Sequence, residues 1–159
     1  MPRPRPSIDR TIWVDAAPFG AHLTQLCALT GVGWQELALR AGVPLRLAAR
    51  LTGHGGGSGR LRRIPRQVAE QLWALTLEEV DELKRTSVLA ESTCSRVGFL
   101  LASGVALPRL AAQLGCSPAF VADLADHRPT HVSALIALRA AAAREMADGF
   151  RSRVHLSAA

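Results

Sequence analysis

One pattern occurs twice in this chain and limits its fold more than any other feature. Residues 31–54 read GVGWQELALRAGVPLRLAARLTGH, and residues 104–127 read GVALPRLAAQLGCSPAFVADLADH. A shift of 73 superposes the two without a gap over 24 positions, eight of them identical. The matches include Gly31 on Gly104, Leu37 on Leu110, Ala38 on Ala111, Gly42 on Gly115, Leu51 on Leu124 and His54 on His127. Each copy puts an alanine inside one short helix and a glycine in the turn behind it. Two helices cross tightly only where the turn and the crossing point are nearly free of side chain. Leu37, Val43, Ala48 and Leu51 then supply an apolar face for a shared core. Self-similarity at a fixed shift marks a duplicated unit.

Helical spacing continues on both sides of each copy. Prolines at 2, 4 and 6 alternate with Arg3 and Arg5 and favour an extended arm. From Asp15, a plausible N-cap, Phe19, Leu23, Leu26 and Leu29 recur at helical intervals until Gly31. Residues 34–41 and 45–52 form the first helical pair, hinged at Gly42. A glycine loop, GHGGGSGRLRRI, follows and turns basic at Arg60, Arg62 and Arg63. Pro65 opens the next helix, and Thr76 with Glu79 three residues on forms a capping box for another. The polar run KRTSVLAESTCS reads as a boundary. Beyond it the order repeats: a helix to Gly104, residues 108–114, Gly115, residues 118–125, then a long alanine-rich helix from about 130 to 146. No stretch alternates as a strand would. The expectation is an all-α chain with two small helical domains, each built on a helix-turn-helix. Its parts are a flexible basic arm (1–14), a first domain (15–86), a second, helix-turn-helix-like domain (87–148) and a flexible tail (149–159).

Counting Trp34 as the first position, alanine at the fifth and glycine at the ninth, with apolar residues at the fourth, tenth, fifteenth and eighteenth, resembles the helix-turn-helix of DNA-binding repressors. With a helix before it and a glycine loop and Pro-initiated helix after it, residues 16–86 resemble a lambda-repressor-like five-helix domain. The resemblance implies that the second helix of the pair enters the major groove of double-stranded DNA.

Charge separates the copies. The net charge is +6; residues 1–75 carry ten arginines against four acids, and residues 76–159 carry nine basic residues against nine acids. The excess points to a polyanionic partner for the first half. Positions off the apolar face of the first recognition helix are Pro44, Leu45, Arg46, Ala49 and Arg50. Arg46 and Arg50 share a helical face, and arginine suits the guanine edge. The matching positions of the second copy are Ser117, Pro118, Ala119, Ala122 and Asp123, with Asp126 beyond, and carboxylates there oppose phosphate. Arg60, Arg62, Arg63 and Arg66 are the expected phosphate contacts. Arg3, Arg5 and Arg10 are candidates for a minor-groove arm.

Other chemistry finds little footing. Cys27, Cys94 and Cys116 are far apart and form no CxxC pair, which reads as reduced thiols. His127 and His131 are four apart, but Pro129 lies between them and no third ligand is in view. GHGGGSG lacks the Lys-Ser/Thr of a phosphate loop. Tyrosine is absent and there are only four phenylalanines, so stacking platforms for RNA or single strands are not expected. Trp13, Trp34 and Trp73 are expected as core or interface fillers. No run approaches a membrane span. The expectation is a non-enzymatic, sequence-specific double-stranded DNA-binding transcriptional regulator of repressor type, with no cofactor or metal. It would be cytoplasmic, nucleoid-associated and bacterial or phage-encoded, with residues 87–148 forming a homodimer or binding a protein partner. The alternative is a helix-turn-helix adaptor that binds a protein such as transcription machinery.

Overall fold

The computed structural model describes residues 12–57 and 59–157, with side chains as far as residue 149. The chain is mostly helical. Its order is β1 (Trp13–Asp15), α1 (Ala17–Thr30), α2 (Trp34–Ala41), α3 (Leu45–Thr52), β2 (Arg63–Pro65), α4 (Arg66–Trp73) and α5 (Leu77–Arg85). There follow β3 (Ser87–Leu89), α6 (Glu91–Ala102), α7 (Leu107–Leu114), α8 (Pro118–Ala125), β4 (His131–Ser133) and α9 (Ala134–Ser157). Helix ends fall where the local chemistry puts them. Gly42 closes α2 at φ 74°, its N–H donating to the carbonyls of Ala38 and Leu39, a left-handed turn that glycine adopts without steric cost. Gly115 closes α7 in the same way at φ 68°. At α5 both halves of the capping box form: Glu79 N donates to Thr76 Oγ1 at 3.2 Å, and Thr76 N to Glu79 Oε2 at 3.4 Å.

Among the described residues, four short strands add two small sheets to the expected all-helical frame. β1 pairs antiparallel with β2, Val14 opposite Ile64; β3 pairs with β4, Val88 opposite Val132. Ile64 is completely buried and Val132 nearly so. Flanking hydrogen bonds recur in both pairs. Ala16 N donates to Arg62 O and Arg66 N to Ile12 O; Ala90 N donates to Thr130 O and Ala134 N to Thr86 O. The repeated unit is therefore longer than the sequence match: β1-α1-α2-α3-β2-α4 and β3-α6-α7-α8-β4-α9, with α5 between them. Trp13 and Val14 lie in β1 rather than in a free arm.

The buried apolar residues form two clusters. Leu23, Leu37, Val43, Ala48, Ile64 and Leu72 fill the first; Val97, Leu100, Leu110, Leu114, Val121 and Leu124 fill the second. In the first, α1 and α3 touch through backbone. A Cβ on the buried Gly20 would lie 2.7 Å from the Leu51 carbonyl oxygen. Counting from the strands, Cys94 takes this place in the second unit and is itself buried. The long helix α9 contributes to both clusters. Its Ala134 and Leu135 belong to the first core and its Ala140 to the second, so it packs on α2 and α5 as well as on α6 and α7. It also runs through Gly149 to Ser157, where a frayed tail was expected. No helix among the described residues is long and apolar enough to cross a membrane.

Candidate nucleic-acid interface

Helix α3 buries Leu45, Ala48 and Leu51 against the first core. This stripe sets its opposite face. Pro44, Arg46 and Arg50 are exposed and Ala49 is half-buried. Leu45, expected on the outer face, is only 8% exposed and belongs to the core; it begins the i, i+3, i+6 stripe that seats the helix. Arg46 and Arg50 stand one turn apart on the outer side, and no ion pair among the described residues engages either. The N-terminus of α3 has no side-chain cap, so its first amides add partial positive charge beside Arg46.

The glycine loop folds back on this helix. Around Gly55 the space is filled by Arg50: a Cβ there would sit 2.9 Å from Arg50 Cγ. Around Gly53 it is filled by Arg60, whose Nε would be 3.3 Å from an added Cβ. The loop thus supports the stem of Arg50 and brings Arg60 to the carbonyl end of α3, where a cation is favoured. Arg62 and Arg63 are exposed beside and on β2, with Arg63 opposite Asp15 in register. Arg66 is different. Its Nε donates to Glu70 Oε1 at 2.8 Å one turn along α4, so its charge is partnered within its own helix. Arg3, Arg5 and Arg10 lie outside the described residues. A stacking pair that sequence reasoning missed closes the motif from behind: Trp34 opens α2 and lies 5.6 Å from His54, just past α3, their planes 23° apart. The recurrence of His54 as His127 was the available signal.

The second unit presents a different surface. Arg128 donates to Asp123 Oδ1 at 3.1 Å and to Asp126 Oδ2 at 3.0 Å, so both carboxylates pair with one guanidinium and the cluster keeps a net negative charge. Ser117 caps α8, accepting from Phe120 N at 3.2 Å, and so occupies the helix end that α3 leaves open. The exposed positions there are small or apolar: Ser117, Pro118 and Ala119. Among the described residues no cluster of three His, Cys, Asp or Glu side chains is placed to hold a metal ion. The three cysteines are free; burial pushes each thiol up from its ordinary value, Glu36 adding to this at Cys27 and Arg139 opposing it at Cys116. The chain matches no protein-family model, no curated protein and no solved structure.

Proposed function

We propose that this chain is a sequence-specific double-stranded DNA-binding regulator of repressor type, acting in the cytoplasm on the nucleoid. Helix α3 reads the major groove with Arg46 and Arg50, while Arg60, Arg62 and Arg63 hold phosphates. The observation that carries this reading is the contrast between two copies of one scaffold. One presents exposed arginines that lack ion-pair partners among the described residues; the other presents two carboxylates that share one arginine and stay net negative. A second subunit or a protein partner would meet residues 87–148 on their outer side, where Leu89 and Met146 are exposed.

The adaptor reading keeps one supporting observation. Trp73 is 62% exposed, set edge-on to Phe19 at 6.1 Å and tilted on His22 at 5.0 Å, an aromatic group of the kind that anchors protein interfaces. Selection of the full chain against random-sequence duplexes separates the two. DNA reading requires one sequence to be enriched and to bind more tightly than its scrambled version. Recovery of no preferred sequence, with no duplex binding at moderate salt, leaves the adaptor.

A further inference from the structure

Counting forward from the paired strands β2 and β4, Gln71 on α4 and Arg139 on α9 hold the same position in the two units. Both lie against the glycine of the helix-turn-helix turn. A Cβ on Gly42 would sit 3.6 Å from Gln71 Nε2, and one on Gly115 would run into the Arg139 guanidinium. The shared duty of the position is to cover the turn from the helix behind it. Arg139 does more. Its Nη1 donates to the Leu114 carbonyl at 3.0 Å, at the end of α7. Its Nε lies 3.9 Å from Glu36 Oε1 on α2.

Both side chains are mostly withdrawn from solvent, 21% exposed for Arg139 and 13% for Glu36. Glu36 stands in the first turn of α2 and folds back against Gly33, where an added Cβ would collide with its carboxylate. Charges therefore alternate along one line: the positive start of α2, the carboxylate, the guanidinium and the negative end of α7. Each neighbour has the opposite sign. Neither member of the pair is repeated. The counterpart of Glu36 is the exposed Arg109, and that of Arg139 is Gln71. The link is made once, between the units, at two positions where the copies have diverged.

A withdrawn pair at 3.9 Å, too long for a hydrogen bond, adds little net stability. Its worth lies in fixing an arrangement. Leu135 and Leu138 of α9 already pack against the first core, and apolar contact alone leaves register loosely set. We propose that Glu36 and Arg139 are positioning residues that lock the second helix-turn-helix onto α2, so that the C-terminal half braces the first unit and fixes the angle at which α3 is presented. The inference rests on the DNA-reading function proposed above.

The test is a double-mutant cycle in the full chain: Glu36→Gln, Arg139→Gln (the residue the first unit uses) and the double substitution. Each is read by binding to a selected duplex, by amide exchange in α2 and by urea unfolding. Each single variant should weaken duplex binding about five-fold or more without changing the salt slope, since neither residue touches phosphate. Amides of α2 should exchange faster, and the double variant should be no worse than either single. Unchanged affinity, or losses that simply add, overturns the brace. Should Arg139→Gln fail to fold, Arg139→Lys takes its place, keeping the charge but not the planar fork that reaches both partners. If the unaltered chain binds no duplex, the DNA reading fails separately, and the cycle in exchange and urea still decides: coupled losses support the brace and additive ones sink it.

Discussion

Gly20 shows how little room a single residue leaves. In an exposed helix interior, replacing glycine by alanine stabilises by about 1 kcal/mol. Here the new methyl would sit 2.7 Å from the Leu51 carbonyl oxygen, a backbone atom that cannot swing aside. Gly20→Ala should therefore destabilise, by about 1–3 kcal/mol as overpacking does, read as a lower urea midpoint. The reverse sign is expected at His127, which holds φ 55° while Arg128 N bonds back to Asp123 O. Glycine takes that left-handed turn without the steric cost, so His127→Gly should raise stability by about 1 kcal/mol; a lower midpoint would mean that the imidazole holds something in place. These residues also mark where sequence runs out. Gly42 and Gly115 were legible because each satisfies its own helix end. Gly20 was not, because its reason is a carbonyl on another helix. Leu45 could have been placed: its spacing with Ala48 and Leu51 is that of a buried stripe, although it stands at the first position of α3.

The elements were legible in proportion to their length. The helical runs and the capping box at α5 follow from periodicity and local hydrogen-bonding chemistry. The strands were invisible because each is three residues long. Such a strand turns one side chain inward, too few to show alternation. They matter to the site, since β2 ties the far end of the basic loop to β1. The loop's own role has a salt signature. Each phosphate contact contributes roughly 0.9 to the slope of log affinity against log salt. Replacing Arg60, Arg62 and Arg63 together by Gln should flatten that slope and weaken every duplex alike. A slope that does not move would take the loop off the DNA and leave its glycines with a purely structural use, supporting Arg50.

For the molecule as a whole, duplication and charge asymmetry were both readable, because each is a property of the linear sequence. What could not be read is how the halves meet. The start of α9 enters the first core through Ala134 and Leu135, residues that look like any others on an alanine- and leucine-rich helix. We propose that two copies of one scaffold have divided their labour, with α3 reading bases and α8 not. One set of variants of the whole chain, measured on a selected duplex and on a scrambled one, decides this. Arg46→Ala and Arg50→Ala should each lose about 1–3 kcal/mol on the selected duplex and far less on the scrambled one. Ala119→Glu and Ala122→Glu, on the outer side of α8, should change neither. Equal losses on both duplexes would reduce the arginines to phosphate contacts, and a loss from the α8 variants would contradict the division.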